Sequence, residues 1–156
     1  MRELMNYLWQ TMPELIAALL GTLGFALVFK MKWSYMWIVS VGGFFTYAIF
    51  VILAYLNFSD FSTALISAVF FALTSEILAR VLKAPTIVFL IPISISIVPG
   101  SGLYYSMRYL LLQDTANFVS SFKSTCAISA GIVCGIIVTS VVFKIVIVFC
   151  IHVSHE

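Results

Sequence analysis

The chain has 156 residues, 63% of them hydrophobic and only 9% charged, against about 25% charged in soluble domains, where water must be met by a polar surface. A mean hydropathy of +1.15 and a net charge of +2 without a basic run exclude a soluble catalytic domain, a nucleic-acid-binding module and a polybasic lipid site. A helix needs roughly 20 apolar residues to cross the hydrocarbon core, so this length predicts a single-domain, all-α integral membrane protein with about five transmembrane helices.

The first apolar run, about 13–30, opens on Pro13 and Glu14. Proline suits the first turn of a helix and an acidic residue there complements the helix dipole, so the pair predicts a helix start. A cleaved signal peptide is disfavoured by Glu3, Glu14 and the missing small-x-small site. Gly21 and Gly24 predict a smooth packing face. Lys30, Lys32, Trp33, Tyr35 and Trp37 form a basic, aromatic connector of the kind that favours a cytoplasmic interface. The second span, about 36–56, carries Gly42 and Gly43, again expected to pack closely.

Asn57, Ser59 and Asp60 are turn and cap formers at the opposite interface. The third span, about 61–82, places Glu76 four residues before Arg80, on one helical face and in the orientation that favours an ion pair. Two readings stand side by side: a solvated, positive-inside helix end, which suits Lys83, or a pore-lining or subunit contact, because Glu76 sits deeper than an orientation signal requires. Pro85 marks the turn.

The fourth span, about 86–112, is interrupted by Pro99, Gly100, Ser101 and Gly102 and is expected to be a discontinuous helix broken at Pro99-Gly100. A half-helix starting near Ser101 aims unpaired backbone N–H groups and a positive dipole end into the membrane, where an anionic substrate group can be held. Ser94, Ser96, Ser101, Tyr104 and Ser106 gather hydroxyls around this break. The plain alternative is a proline kink repaired by its neighbours.

These residues also carry a resemblance. SEILARVLKAPTIVFL followed by VPGSGLYY is similar to the small membrane subunit of the threonine/serine exporter family, which includes a two-subunit succinate exporter of bacterial inner membranes. The likeness takes in the length, the Phe29-Lys30 turn, the SExxAR helix end from Ser75 to Arg80 and the VPG break at Val98 to Gly100. One departure is that Pro92 is followed by Ile93 where the family often has Pro-Gly. The resemblance implies a secondary transporter, driven by an ion gradient, for small anionic or zwitterionic substrates. It implies a larger membrane subunit of the same family as partner. Read from the polar helix end and the helix break together with these motifs, the candidate substrate and transport residues are Ser75, Glu76, Arg80, Pro99, Gly100, Ser101, Gly102 and Tyr104. The glycine faces also admit a homo-oligomer.

A polar connector, QDTANFVSSFKST, precedes the last span, about 124–151, in which Gly131 and Gly135 form a small-xxx-small face and Lys144 snorkels. Cys126, Cys134 and Cys150 read as small hydrophobes, and His152 and His155 lack a third ligand close by, so no metal site is expected. No cofactor is expected either, since GxxxxGK[ST] does not occur, and without GxSxG or HExxH an enzyme is disfavoured. If the spans alternate, Lys30, Lys32, Arg80 and Lys83 share the cytoplasmic side, with the N-terminus outside and the C-terminus inside. A structural or regulatory membrane subunit, its partner carrying the transport residues, is the competing function.

Overall fold

The computed structural model describes the backbone of residues 2–153 and the side chains of Trp9 and residues 11–146. Glu3, Cys150, His152 and His155 lie outside the described side chains. Six helices follow in order: α1 (Arg2–Val28), α2 (Trp33–Tyr55), α3 (Asp60–Val81), α4 (Thr86–Ser94), α5 (Gly100–Leu111) and α6 (Thr115–Val153), with no strand among the described residues. Stretches of α1, α2, α3 and α6 are each long and apolar enough to cross a membrane. The two halves of the broken element are not.

Four connections close in the same way. Lys30, Asn57, Lys83 and Gln113 adopt left-handed backbone, with φ between 50 and 59°. At each, the next N–H bonds back to a carbonyl five residues earlier, as in Met31 to Ala26 (3.1 Å), Phe58 to Leu53 (3.3 Å), Ala84 to Ala79 (2.9 Å) and Asp114 to Tyr109 (3.0 Å). This is the Schellman closure, which satisfies carbonyls that the helix end would otherwise leave bare. Ser59 then caps α3 by accepting from the Ser62 N–H, and Asp114 caps α6 by accepting from Asn117.

The core lies toward the Lys30 and Lys83 end. Here α4 inserts between α1, α2 and α3, with Phe89 and Ile93 fully buried against Met36, Val39, Ala68 and Phe71. Gly42 admits the Ile93 side chain and Gly43 admits Thr22, as glycines at close helix crossings should. The expected glycine face of the last span is also used: a Cβ at Gly131 would lie 2.5 Å from the Phe61 carbonyl oxygen, and one at Gly135 would lie 2.5 Å from the Ala68 Cβ. By contrast, nothing among the described residues lies within 4 Å of where Cβ atoms of Gly21 and Gly24 would stand, so neither glycine is at a close helix contact there.

Two boundaries differ from the sequence-based expectation. Pro13 lies inside α1, which begins at Arg2, so Glu14 is a mid-helix residue and not a helix start. The connector before the last span is helical from Thr115 onward, because Asp114 caps that helix and α5 packs along it. The second difference sets the register of the molecule. Ser124 donates to Asp60, Gly131 and Gly135 meet α3 near Ala64 and Ala68, and Arg80 lies over Phe143, so α3 and α6 run parallel with residue 124 level with the start of α3. Gly102 abuts Thr125 at that same level. Residues 86–102 therefore cover the length of α3, and α5 continues beyond its start as a hairpin with the first turns of α6, packing on no other helix among the described residues.

Candidate functional site

The chain between α4 and α5 turns through residues 95–99 at the junction of α2, α5 and α6. Pro99 cannot extend the helix, and the Gly100 N–H bonds to the Val98 carbonyl at 2.7 Å instead of a residue four back. The Leu103 N–H reaches Pro99 at 3.1 Å. This leaves the N–H groups of Ser101 and Gly102 without an acceptor among the described residues. They stand at the positive end of the α5 dipole.

Both residues line a cavity of about 480 Å³. Tyr47 and Phe50 of α2 form one wall, Ser96 to Pro99 the next, Tyr105 and Tyr109 of α5 a third, and Ser120, Ser121, Ser124 and Thr125 of α6 the last. A second cavity of about 410 Å³ shares Tyr47, Ser96, Val98 and Ser101 with the first and extends to Glu14 of α1. The Tyr47 hydroxyl donates to the Glu14 carboxylate at 2.7 Å. Among the described residues, no Lys or Arg lines either cavity. Negative charge there has only backbone donors and hydroxyls to meet it.

The eight residues that sequence reasoning singled out fall in two places. Pro99, Ser101 and Gly102 line the cavity and Gly100 sits at the break with open space where a Cβ would stand. Tyr104 does not join them: it is 64% exposed and borders an outer groove with Met107, Arg108 and Leu111, while its neighbour Tyr105 faces the cavity. Ser75, Glu76 and Arg80 lie at the other end of α3, ~24 Å away at ~1.5 Å rise for each residue between Asp60 and Glu76. Ser75 is buried and donates to the Phe71 carbonyl at 2.8 Å. Arg80 pairs with Glu76 at 3.8 Å in the expected i, i+4 geometry and stacks on the Phe143 ring at 5.2 Å.

Glu14, Tyr47, Tyr105 and the α6 hydroxyls were missed. A lone carboxylate inside an apolar run was the signal available for Glu14. The buried hydroxyls of Thr63, Ser67 and Thr139 have no partner among the described residues, but none lines either cavity. No group of His, Cys, Asp and Glu among the described residues could hold a metal ion.

These observations define an all-helical, multi-pass membrane protein with a cavity at a broken helix. Residues 14–142 match the family model described as "Threonine/Serine exporter, ThrE", and the chain belongs to that family. No curated protein and no solved structure matches it.

Proposed function

We propose that the chain is a subunit of a secondary transporter that exports small carboxylate-bearing metabolites, threonine and serine or a dicarboxylate such as succinate, across the bacterial inner membrane. The transport is driven by an ion gradient and the chain acts with a larger membrane subunit of the same family. The observation that carries this reading is the pair of free N–H groups, Ser101 and Gly102, at the start of α5 in a cavity walled by hydroxyls. Donors fixed at a helix N-terminus hold a carboxylate without a counter-charge. Uptake of labelled threonine, serine and succinate into proteoliposomes holding the chain and its co-purified partner tests it. Accumulation should be blocked by unlabelled acids and not by their neutral amides, and equal competition by the amides would overturn it.

In this reading Glu76 and Arg80 stand at the mouth on the Lys30 and Lys83 side. The pair is long and Arg80 is 48% exposed, so its contribution to stability is within about 1 kcal/mol. Glu76→Gln and Arg80→Ala are expected to lower transport several-fold with insertion intact, and normal rates in both return the pair to a solvated helix end. The orientation carries its own test: with native cysteines removed, Lys30→Cys should label from the cytoplasmic side and Asn117→Cys from outside. Both positions are exposed, and labelling from one side would refute the arrangement.

A second reading, a structural or regulatory subunit, rests on the α5 hairpin. Leu103, Tyr104, Met107 and Leu111 are each more than half exposed on a helix that, among the described residues, leans only on α6, a face suited to a partner.

A further inference from the structure

Most buried hydroxyls of this bundle are satisfied by their own helix. Thr22, Ser40, Thr46, Ser75, Ser106 and Thr125 each donate to the carbonyl four residues earlier, at 2.7 to 3.0 Å. Thr63, Ser67 and Thr139 do not, although they are only 2%, 0% and 3% exposed, and they have no partner among the described residues. The same carbonyl is always within reach of a helical Ser or Thr, so a buried hydroxyl turned away from it loses free energy unless something outside the chain takes that place. Thr139 stands by itself on the Gly131 and Gly135 face of α6. Thr63 and Ser67 are one turn apart on one face of α3, and Phe71, the next residue of that face, belongs to the core cluster that holds Phe89, Ile93 and Ile97.

The segment that passes this face is the break. Ile93 is buried with Ala68 and Phe71, and Gly102 is level with the start of α3, so residues 95–99 run past the level of Thr63 and Ser67. These two stand ~5 and ~11 Å in from Asp60 at ~1.5 Å per residue. The carbonyls of Ile95, Ser96 and Ile97 accept no hydrogen bond among the described residues. Pro99 has no N–H to offer Ile95, the Gly100 N–H bonds to Val98 instead of Ser96, and the Ser101 N–H does not reach Ile97. The three carbonyls follow the C-terminus of α4, the negative end of its dipole. Asp60 adds negative charge one turn before Thr63 on the α3 face.

We propose that Thr63 and Ser67, with the freed carbonyls of Ile95, Ser96 and Ile97, hold one sodium ion that ties the break to α3. Unwound carbonyls and half-helix C-termini are the groups that coordinate sodium in discontinuous membrane helices. The five ligands are neutral oxygens without a carboxylate, a set that suits a monovalent cation better than calcium or magnesium. Neither hydroxyl lines a cavity, which leaves room for a small dehydrated ion and not for potassium. Ser96 and Ile97 also line the 480 Å³ cavity, which gives the ion its way in. The site does not depend on Ser101 and Gly102 being the carboxylate end of a substrate site, and its test uses no substrate.

The full-length chain in mild detergent, exchanged into choline chloride, is titrated with sodium chloride while binding of radiolabelled sodium and the unfolding temperature are followed. Binding should saturate, and the unfolding temperature should rise with sodium and not with potassium. Thr63→Val and Ser67→Ala each remove one ligand with little change of shape, and each should raise the half-saturating sodium concentration by about tenfold or more, the loss of one good contact. Ser40→Ala is the control, because that hydroxyl already bonds to the Met36 carbonyl, and it should leave sodium binding unchanged. The two salts should also reverse the order of stability. In choline the Thr63 and Ser67 variants should be at least as stable as wild type, having lost an unsatisfied buried group, and in sodium they should be less stable. Absence of saturable sodium binding in the wild type overturns the proposal without any variant. So does an equal rise with potassium, sodium binding that both variants leave unchanged, or variants more stable than wild type in both salts, which would make the hydroxyls merely unsatisfied or hydrated.

Discussion

Gly135→Leu and Gly131→Leu are expected to prevent the bundle from forming. A Cβ at Gly135 would lie 2.5 Å from the Ala68 Cβ, 2.9 Å from the Leu65 carbonyl oxygen and 3.2 Å from the Val69 nitrogen, and at Gly131 the Phe61 carbonyl oxygen and the Leu65 nitrogen stand at 2.5 and 3.1 Å. These neighbours are backbone atoms of α3 and an alanine Cβ fixed directly to it, which no rotamer change can move aside, so relief requires the two helices to separate along their whole parallel contact. Overpacking of a tight contact costs about 1–3 kcal/mol, and a leucine at either position exceeds that range because the obstacle is rigid. The loss should read as aggregation, or as a large fall in the unfolding temperature of protein purified in mild detergent. Gly24→Ala is the control: with nothing within 4 Å of the new Cβ, it should be neutral or stabilising by up to about 1 kcal/mol through helix propensity. Wild-type melting of Gly135→Leu would mean that α3 and α6 do not pack as described.

The second large effect separates two neighbouring glycines at the break. Gly100 has open space around it, so Gly100→Val should leave folding intact and obstruct the approach of a ligand to the N–H groups of Ser101 and Gly102. Gly102 is different. A Cβ there overlaps the Thr125 hydroxyl oxygen, and that hydroxyl is fixed by its own bond to the Ser121 carbonyl at 2.7 Å. Gly102→Ala should therefore destabilise the α5–α6 hairpin by about 1–3 kcal/mol. Thr125→Ala in the same chain should recover most of the loss, since it removes the overlapping atom and leaves the Thr125 Cβ at 3.4 Å, an ordinary contact. Thermal unfolding of the single and double variants measures the stability arm and half-saturation of threonine transport by Gly100→Val measures the ligand arm. Unchanged half-saturation in Gly100→Val would place the carboxylate end elsewhere.

Much of this architecture is written in local chemistry. The hydropathy marks the membrane class, the Pro99–Gly102 run marks the break, and the spacings of Gly131 with Gly135 and of Glu76 with Arg80 mark a helix contact and an ion pair that the structure contains. What escapes the sequence is register. Successive residues on a helix point about 100° apart, so an uncertainty of one residue in where α5 begins decides whether Tyr104 or Tyr105 faces the cavity. Pro13 and Glu14 illustrate a second limit: the local signal of a helix start is the same whether or not a further turn precedes it, and here α1 extends back to Arg2. Likewise the helix through Thr115 to Lys123 depends on packing along α5, which no run of polar letters discloses.

The hydroxyls of Ser94, Ser96, Ser106, Thr125 and Ser129 each donate to a carbonyl three or four residues earlier in the chain, at 2.7 to 2.9 Å. Where the acceptor lies within a regular helix, its oxygen has a second lone pair already engaged by the backbone, so it stays bonded when the hydroxyl rotates away. Such a hydroxyl is a rotor with two satisfied positions, one turned to its own helix and one turned outward to a guest oxygen. For Ser96, which lines the cavity, turning outward exchanges one hydrogen bond for another, so this part of the wall can meet the oxygen of a small molecule without leaving the Ile93 carbonyl bare.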